Sequence, residues 1–286
     1  MTIELQKKLL VVTGEASGDE HAASVVDALG DSFCARGMGG RALESAGVRI
    51  DIDILETSIM GGVEILGTLP KLIRASRDLR RIARDWHADV ALFVDFPDFN
   101  MRLARALRSR GIPTVGFVSP QFWAWRASRA KIMGNSYDKV ACVLPFEEAP
   151  LRVAGVDATF VGHPVLDQGK PRGNDIRESL GIPKESAVLA LLPGSRRAEV
   201  ERMAGPMFEA ARRLRRYRKN LLVVAAIAST VRDVIHVPEW VESIDATRIS
   251  SPGRAALAIA DVAAVTSGTA TLEAALLGVP QVVAYA

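Results

Sequence analysis

Short apolar runs, each closed by a turn and followed by a longer amphipathic stretch, recur along the whole chain. This rhythm narrows the fold more than any other feature. Leu9–Thr13 reads as a buried strand, the turn GEASGD follows, and a helical pattern covers Glu20–Leu29. Further strand patterns fall at Ser32–Arg36, Val90–Val94, Thr114–Val118, Lys139–Val143 and Thr159–Val161, with helical patterns at Leu69–Arg84 and Met101–Arg110. Strands alternating with helices imply an α/β protein with parallel sheets covered on both faces. A polar Gly/Pro stretch, Gly169–Asp175, interrupts the rhythm and marks a domain boundary. The alternation then restarts with Val188–Leu192, the turn PGSRRAEV and a helix over Glu199–Tyr217, followed by strands at Leu221–Ala228, Asp261–Val265 and Gln281–Ala284. The expected organisation is two doubly wound, Rossmann-like domains, residues 1–168 and 169–286. The last residues, Tyr285 and Ala286, come directly after a strand pattern, so the second domain reads as incomplete.

Bulk properties set limits on function. A chain of 286 residues exceeds what one core usually serves. With 49% apolar and 24% charged residues it reads as globular. A formal net charge of +3 is too small to argue for nucleic acid. Arginines crowd two stretches, Arg74 to Arg84 and Arg212 to Arg218, either of which fits a solvated helix face. The two cysteines, Cys34 and Cys142, lack ligand or disulfide spacing and read as small core residues in a reducing compartment. The N-terminus does not read as a signal peptide, and the longest apolar run, Leu221 to Ala228, is too short to span a bilayer. The expectation is a cytoplasmic protein, soluble or held on a membrane surface.

Ligands of parallel sheets bind beyond the carboxyl ends of the strands. Three glycine turns occupy such ends: Gly14-Glu15-Ala16-Ser17-Gly18-Asp19, Pro193-Gly194-Ser195-Arg196 and Thr266-Ser267-Gly268-Thr269. A helix N-terminus offers unpaired N–H groups and partial positive charge to a phosphate. Singly, such a turn is more often a plain connection; two in the second half, one beside Arg196, point to a diphosphate site. Glu273, one helical turn beyond Thr269, suits ribose hydroxyls or, alternatively, a capping role. The run GMGGRA at Gly37–Ala42 approaches the GxGxxG pattern but ends out of register and is discounted.

Asp95 follows the clean strand Val90–Val94 and should face the crevice. Set among Phe96 and Phe99, it is a candidate general base. Asp98 reads as the cap of a helix starting near Met101. Asp51-Ile52-Asp53 has the spacing of a DxD metal motif. It lies in an alternating segment that would put both acids on one exposed strand face, and no metal site is expected. The turn Ser119–Arg126 carries Trp123, Trp125 and Arg126, either core plugs or walls of a sugar or acyl pocket. Met60–Pro70 is apolar, glycine-rich and loop-like, and runs into a helix carrying Lys71, Arg74, Arg77, Arg80, Arg81 and Arg84. That pairing fits either a core loop before a solvated helix or attachment to an anionic lipid surface.

The segments GEASGD, MGGVEILG, FVDFPDFN, VSPQFWAWR, LPFE, FVGHP, LLPGSRRAEVE and SGTATLE, in this order, resemble the lipid-A-disaccharide synthase family from about Leu9 to Tyr285. The resemblance implies two Rossmann-like domains facing a cleft, the GT-B arrangement. It implies an inverting, metal-independent transfer that joins UDP-2,3-diacylglucosamine to 2,3-diacylglucosamine 1-phosphate, releasing UDP and needing no cofactor. By the same resemblance, Asp95 deprotonates the acceptor hydroxyl and Arg196 offsets charge on departing UDP. Gly194, Ser195, Ser267, Gly268, Thr269 and Glu273 bind the nucleotide, and Ser17 and Gly18 lie near the transferring or accepting sugar. Met60, Val63, Ile65, Leu66 and Leu69 contact the cytoplasmic face of the inner membrane, and a homodimer is possible for the family. The alternatives are another UDP-sugar enzyme of this fold, such as a UDP-N-acetylglucosamine 2-epimerase, or a non-catalytic nucleotide or lipid binder.

Overall fold

The computed structural model describes residues 6–54, 65–120, 128–167, 169, 171–245, 247, 249 and 251–285. It forms two compact units, Met1–Pro164 and Val165–Ala286. In chain order the first holds β1 (Lys7–Thr13), α1 (Ala16–Leu29), β2 (Phe33–Gly39), α2 (Arg41–Ser45), β3 (Arg49–Asp53), α3 (Ile65–Asp85), β4 (Val90–Val94) and α4 (Pro97–Arg108). It continues with β5 (Thr114–Phe117), α5 (Ser128–Ser136), β6 (Lys139–Cys142), α6 (Glu148–Val153) and β7 (Ala158–Phe160). The second holds α7 (Gly173–Ser179), β8 (Ala187–Leu192), α8 (Arg197–Tyr217), β9 (Leu221–Ile227), β10 (Glu242–Asp245), α9 (Pro252–Ile259), β11 (Val262–Thr266), α10 (Thr269–Leu277) and β12 (Gln281–Ala284).

Both sheets are parallel throughout. The first runs β3-β2-β1-β4-β5-β6-β7 and the second β10-β9-β8-β11-β12. The order reverses between β1 and β4 in the first and between β8 and β11 in the second. Neighbouring crossovers there leave on opposite faces and open a crevice at the carboxyl ends. The apolar runs are continuous because each strand is covered twice. Leu10 and Val12 of β1 enter one core with Met38, Phe93 and Leu103, while Leu9 and Val11 enter another with Leu92 and Val94. The second sheet divides the same way, Val188, Ala190 and Leu192 on one face, Leu189 and Leu191 on the other.

Several local expectations are corrected. Ile65–Pro70 is not loop but the start of α3, with Pro70 inside the helix. Buried Ala75, Leu79 and Ala83 at every fourth position draw that segment onto the core. Met60 and Val63 lie outside the described residues, as do the side chains of Ile65 and Leu66. The helix after GEASGD begins at Ala16 rather than Glu20, so Ser17 and Gly18 sit in its first turn. Likewise α4 begins at Pro97, which suits the first helical position, and Asp98 lies in the first turn instead of capping it. Cys142 is buried, but Cys34, at the outer end of β2, is exposed.

The discounted GMGGRA run has a packing role. Gly37 has φ +148° at a register shift between β2 and β3, and a Cβ there would lie 2.0 Å from the Val11 carbonyl oxygen. Asp19 accepts hydrogen bonds from the Gly40 and Ala42 amides at 2.7 and 2.9 Å, tying α1 to the start of α2. The DxD acids also separate. Asp51 is engaged by the Arg36 guanidinium through two nitrogens, with Arg49 at 3.5 Å, while Asp53 is exposed.

Candidate active site

In the first unit, β1 and β4 flank the reversal point. Their carboxyl ends lead into the Gly14–Asp19 turn and into Asp95. The two loops interlock. A Cβ on Gly14 would lie 2.2 Å from the Phe96 ring, and one on Gly18 would lie 3.3 Å from the Asp95 Cβ. Only glycine at Gly14 admits Phe96 so close, and the small residue at Gly18 leaves room for the Asp95 side chain.

Asp95 and Phe96 both adopt left-handed backbone, at φ 53° and 50°. Val118, just after β5, does so at φ 63°, an unfavourable choice for a β-branched residue. Such conformations cost about 1–3 kcal/mol each and persist where the surroundings over-determine them. Buried Asn100 supplies part of that restraint: its amide donates to the main-chain carbonyls of both Val94 and Asp95. The Asp95 amide reaches the Phe117 carbonyl at 3.3 Å, and one Asp95 carboxylate oxygen accepts the Phe96 amide at 2.9 Å. The carboxylate is half-buried and borders a small cavity with Phe93, Pro97, Phe117, Ser119 and Tyr137. An acid so held can accept a proton at a fixed point.

One turn along α1 from Ser17 lies His21, buried and set edge-on to His163 with ring centroids 6.1 Å apart. Burial, and secondarily the His163 charge, lower its pKa to about 4. Burial lowers that of His163 as well. Trp123, Trp125 and Arg126 lie outside the described residues.

In the second unit the reversal point is bordered by the Gly194 and Gly268 turns, on β8 and β11. Gly194 has φ +118°, and a Cβ there would lie 2.8 Å from Glu199. That clearance lets Glu199 fold back on the turn. Its carboxylate accepts the Ser195 and Arg196 amides, each at 3.3 Å, and pairs with the Arg196 guanidinium at 3.1 Å. Thr230 braces the turn by donating to the Ser195 carbonyl at 2.7 Å. Ser267, Gly268 and Thr269 are exposed, and no side chain caps the start of α10. The positive end of the helix dipole lies at this turn, where the Ser267 amide is taken by the Ala284 carbonyl at 3.0 Å and the Thr271 amide by the Gly268 carbonyl at 3.1 Å.

Glu273 is not a cap, since it lies beyond the first turn of α10. It stands 3.9 Å from Arg254, which is itself almost fully buried and donates to the Gly169 carbonyl at 2.9 Å. No glycine-turn pattern marks Arg254, because Ser251-Pro252-Gly253 reads as an ordinary connection. Its signal is a lone cation in the otherwise apolar helix PGRAALAI. Asn100 goes unmarked because an amide inside a helix start carries no pattern of its own.

Comparisons with known proteins agree with this architecture. The family model described as Lipid-A-disaccharide synthetase matches residues 9–286. The chain is 42% identical over 285 residues to the lipid-A-disaccharide synthase of Myxococcus xanthus (strain DK1622), covering 97% of this chain and 74% of that protein. It is 39% identical over 288 residues to that of Xylella fastidiosa (strain M23), with the same coverage. Among solved structures it is similar to a putative UDP-N-acetylglucosamine 2-epimerase from Listeria monocytogenes, with TM-score 0.69, 16% identity, and coverage of 98% of this chain and 79% of that one. It is also similar to a glycosyltransferase of kitacinnamycin, with TM-score 0.62, 16% identity and coverage of 98% and 81%. At that identity the structural likeness speaks for the shared fold of sugar-nucleotide enzymes, whereas the sequence matches speak for one family within it. The chain belongs to the lipid-A-disaccharide synthase family and is a glycosyltransferase.

Proposed function

We propose that the chain joins UDP-2,3-diacylglucosamine to 2,3-diacylglucosamine 1-phosphate, giving the β-1′,6-linked disaccharide 1-phosphate and UDP. Asp95 removes the proton of the acceptor 6-hydroxyl as that oxygen attacks the anomeric carbon. The bond from that carbon to the diphosphate oxygen breaks on the opposite side, and the configuration inverts. The charge on the departing UDP falls to Arg196, to the amides of Gly194, Ser195, Gly268 and Thr269, and to the hydroxyl of Ser267. The carboxylate of Glu199 holds the Ser195 and Arg196 amides and the Arg196 guanidinium in place, so a diphosphate would take over donors already oriented. Glu273, positioned by Arg254, accepts from the ribose hydroxyls. Ser17 and Gly18, in the first turn of α1, border the sugar beside Asp95, and Trp123, Trp125 and Arg126 complete the sugar or acyl contacts. In this reading residues 1–168 take the acceptor and residues 169–286 the UDP-sugar.

The single observation that carries this reading is the placement of Asp95. It sits on a strained, braced turn at the first reversal point, while two anion-type turns sit at the second. Among the described residues no helix is long and apolar enough to cross a membrane. Attachment to the cytoplasmic face of the inner membrane is proposed through the Met60–Pro70 segment and the adjoining face of α3. Leu69 and Ile73 are exposed there, next to Lys71, Arg74 and Arg77. Mass detection of disaccharide 1-phosphate and UDP from the two acylated substrates tests the proposal. Turnover of UDP-N-acetylglucosamine alone, with no disaccharide, would instead favour the epimerase reading.

A further inference from the structure

The cavity that Asp95 borders has a volume of about 10 Å³, room for one water molecule. Asp95, Ser119 and Tyr137 bring polar side chains to its wall, between apolar Phe93 and Met133. A glycine lets Tyr137 in. A Cβ on Gly116 would lie 3.1 Å from the Tyr137 ring, so the phenol packs directly on the β5 backbone, 5.8 Å from the Phe93 ring. Tyr137 is only 6% exposed. Burial pushes its pKa above the ordinary value, so the phenol stays protonated and can donate.

No hydrogen bond to another described residue satisfies that hydroxyl, although a buried phenol normally finds a partner. Ser119 is also buried. It donates its own proton to the Pro120 carbonyl at 3.2 Å, which leaves its lone pairs to accept. A cavity lined by apolar groups alone stays dry. This one offers a donor, a neutral acceptor and a carboxylate, which matches the two to four hydrogen bonds a buried water makes. Among the described residues, Tyr137 is the one other titratable group on the cavity wall. Glu15 before α1, Asp19 and His21 within it and Asp98 in α4 do not line it.

We propose that one water in this cavity links Tyr137 to Asp95, and that Tyr137 and Ser119 are positioning residues for the base. The water accepts a hydrogen bond from the Tyr137 hydroxyl. It donates one to the Asp95 carboxylate and one to the Ser119 Oγ. Donation to the carboxylate adds to that of the Phe96 amide at 2.9 Å and favours the ionised form, which is the form that takes the acceptor's proton. The inference rests on Asp95 as general base.

The test is the pH profile of kcat/KM for disaccharide formation. Tyr137→Phe removes one oxygen and keeps the ring on Gly116. The acid limb, which ionisation of Asp95 sets, should move to higher pH by about half a unit to one unit, the worth of one hydrogen bond. Below the limb, kcat/KM should fall about three- to tenfold, with UDP affinity unchanged. Ser119→Ala should move the limb the same way. An unmoved limb in Tyr137→Phe overturns the water link. So does a fall that is equal at every pH, since it leaves the ionisation of Asp95 untouched. Asp95→Asn separates this link from the reading beneath it. If that variant is inactive while Tyr137→Phe keeps the wild-type limb, the link alone fails. If it turns over at the wild-type rate, the base assignment fails and the link with it.

Discussion

At Asp95, Phe96 and Asn100 the geometry turns on single atoms. Asn100→Ala strips a donor from the buried Val94 carbonyl and the part-buried Asp95 carbonyl, so thermal denaturation should show a loss of about 1–3 kcal/mol. Released from its left-handed turn, Asp95 should also support a lower kcat at nearly unchanged UDP affinity; wild-type turnover would show that the turn holds itself. Gly14→Ala puts a methyl group 2.2 Å from the Phe96 ring, and the displaced ring should cost about 1–3 kcal/mol in the same assay. Arg196→Ala should weaken UDP binding or turnover about tenfold or more, and unchanged kinetics would remove it from the diphosphate site. His21 contributes through burial. Its folded pKa is about 4 against an ordinary value of 6.5, so neutral His21 favours the folded state above pH 6.5. That contribution fades as the pH falls towards 4, by at most about 1.4 kcal/mol per pH unit. His21→Leu should flatten the fall in melting temperature across that window.

Among the elements, what was legible in the sequence followed burial. Strands covered on both faces, such as Val90–Val94 and Val188–Leu192, appear as unbroken apolar runs and were placed within a residue of their observed ends. The edge strands Arg49–Asp53 and Glu242–Asp245 are half polar because one side meets solvent, and they carry no such run. The start of α3 was misread as loop because its glycine and proline lower helix propensity, which packing of the following turns overrides. The same helix presents Leu69 and Ile73 outward. Replacing both with Ser should release the chain from anionic vesicles without changing its helix content by circular dichroism.

Over the whole molecule, the site was legible where it depends on backbone. Every glycine turn singled out by pattern lies at one of the two places where strand order reverses. The side chains that hold those turns were less legible. Arg254 meets the Gly169 carbonyl across 85 residues, a contact that sequence spacing does not encode, whereas Glu199 pairs with Arg196 three residues away in capping-box spacing and Asn100 acts on carbonyls five and six residues before it. The account therefore stands on one carboxylate at the first reversal point. The most direct test is the rate of disaccharide formation by Asp95→Asn against wild type, with UDP affinity measured alongside. A lost general base predicts a fall of about 10²–10⁴ in kcat with UDP binding intact. Wild-type turnover by the variant would contradict it.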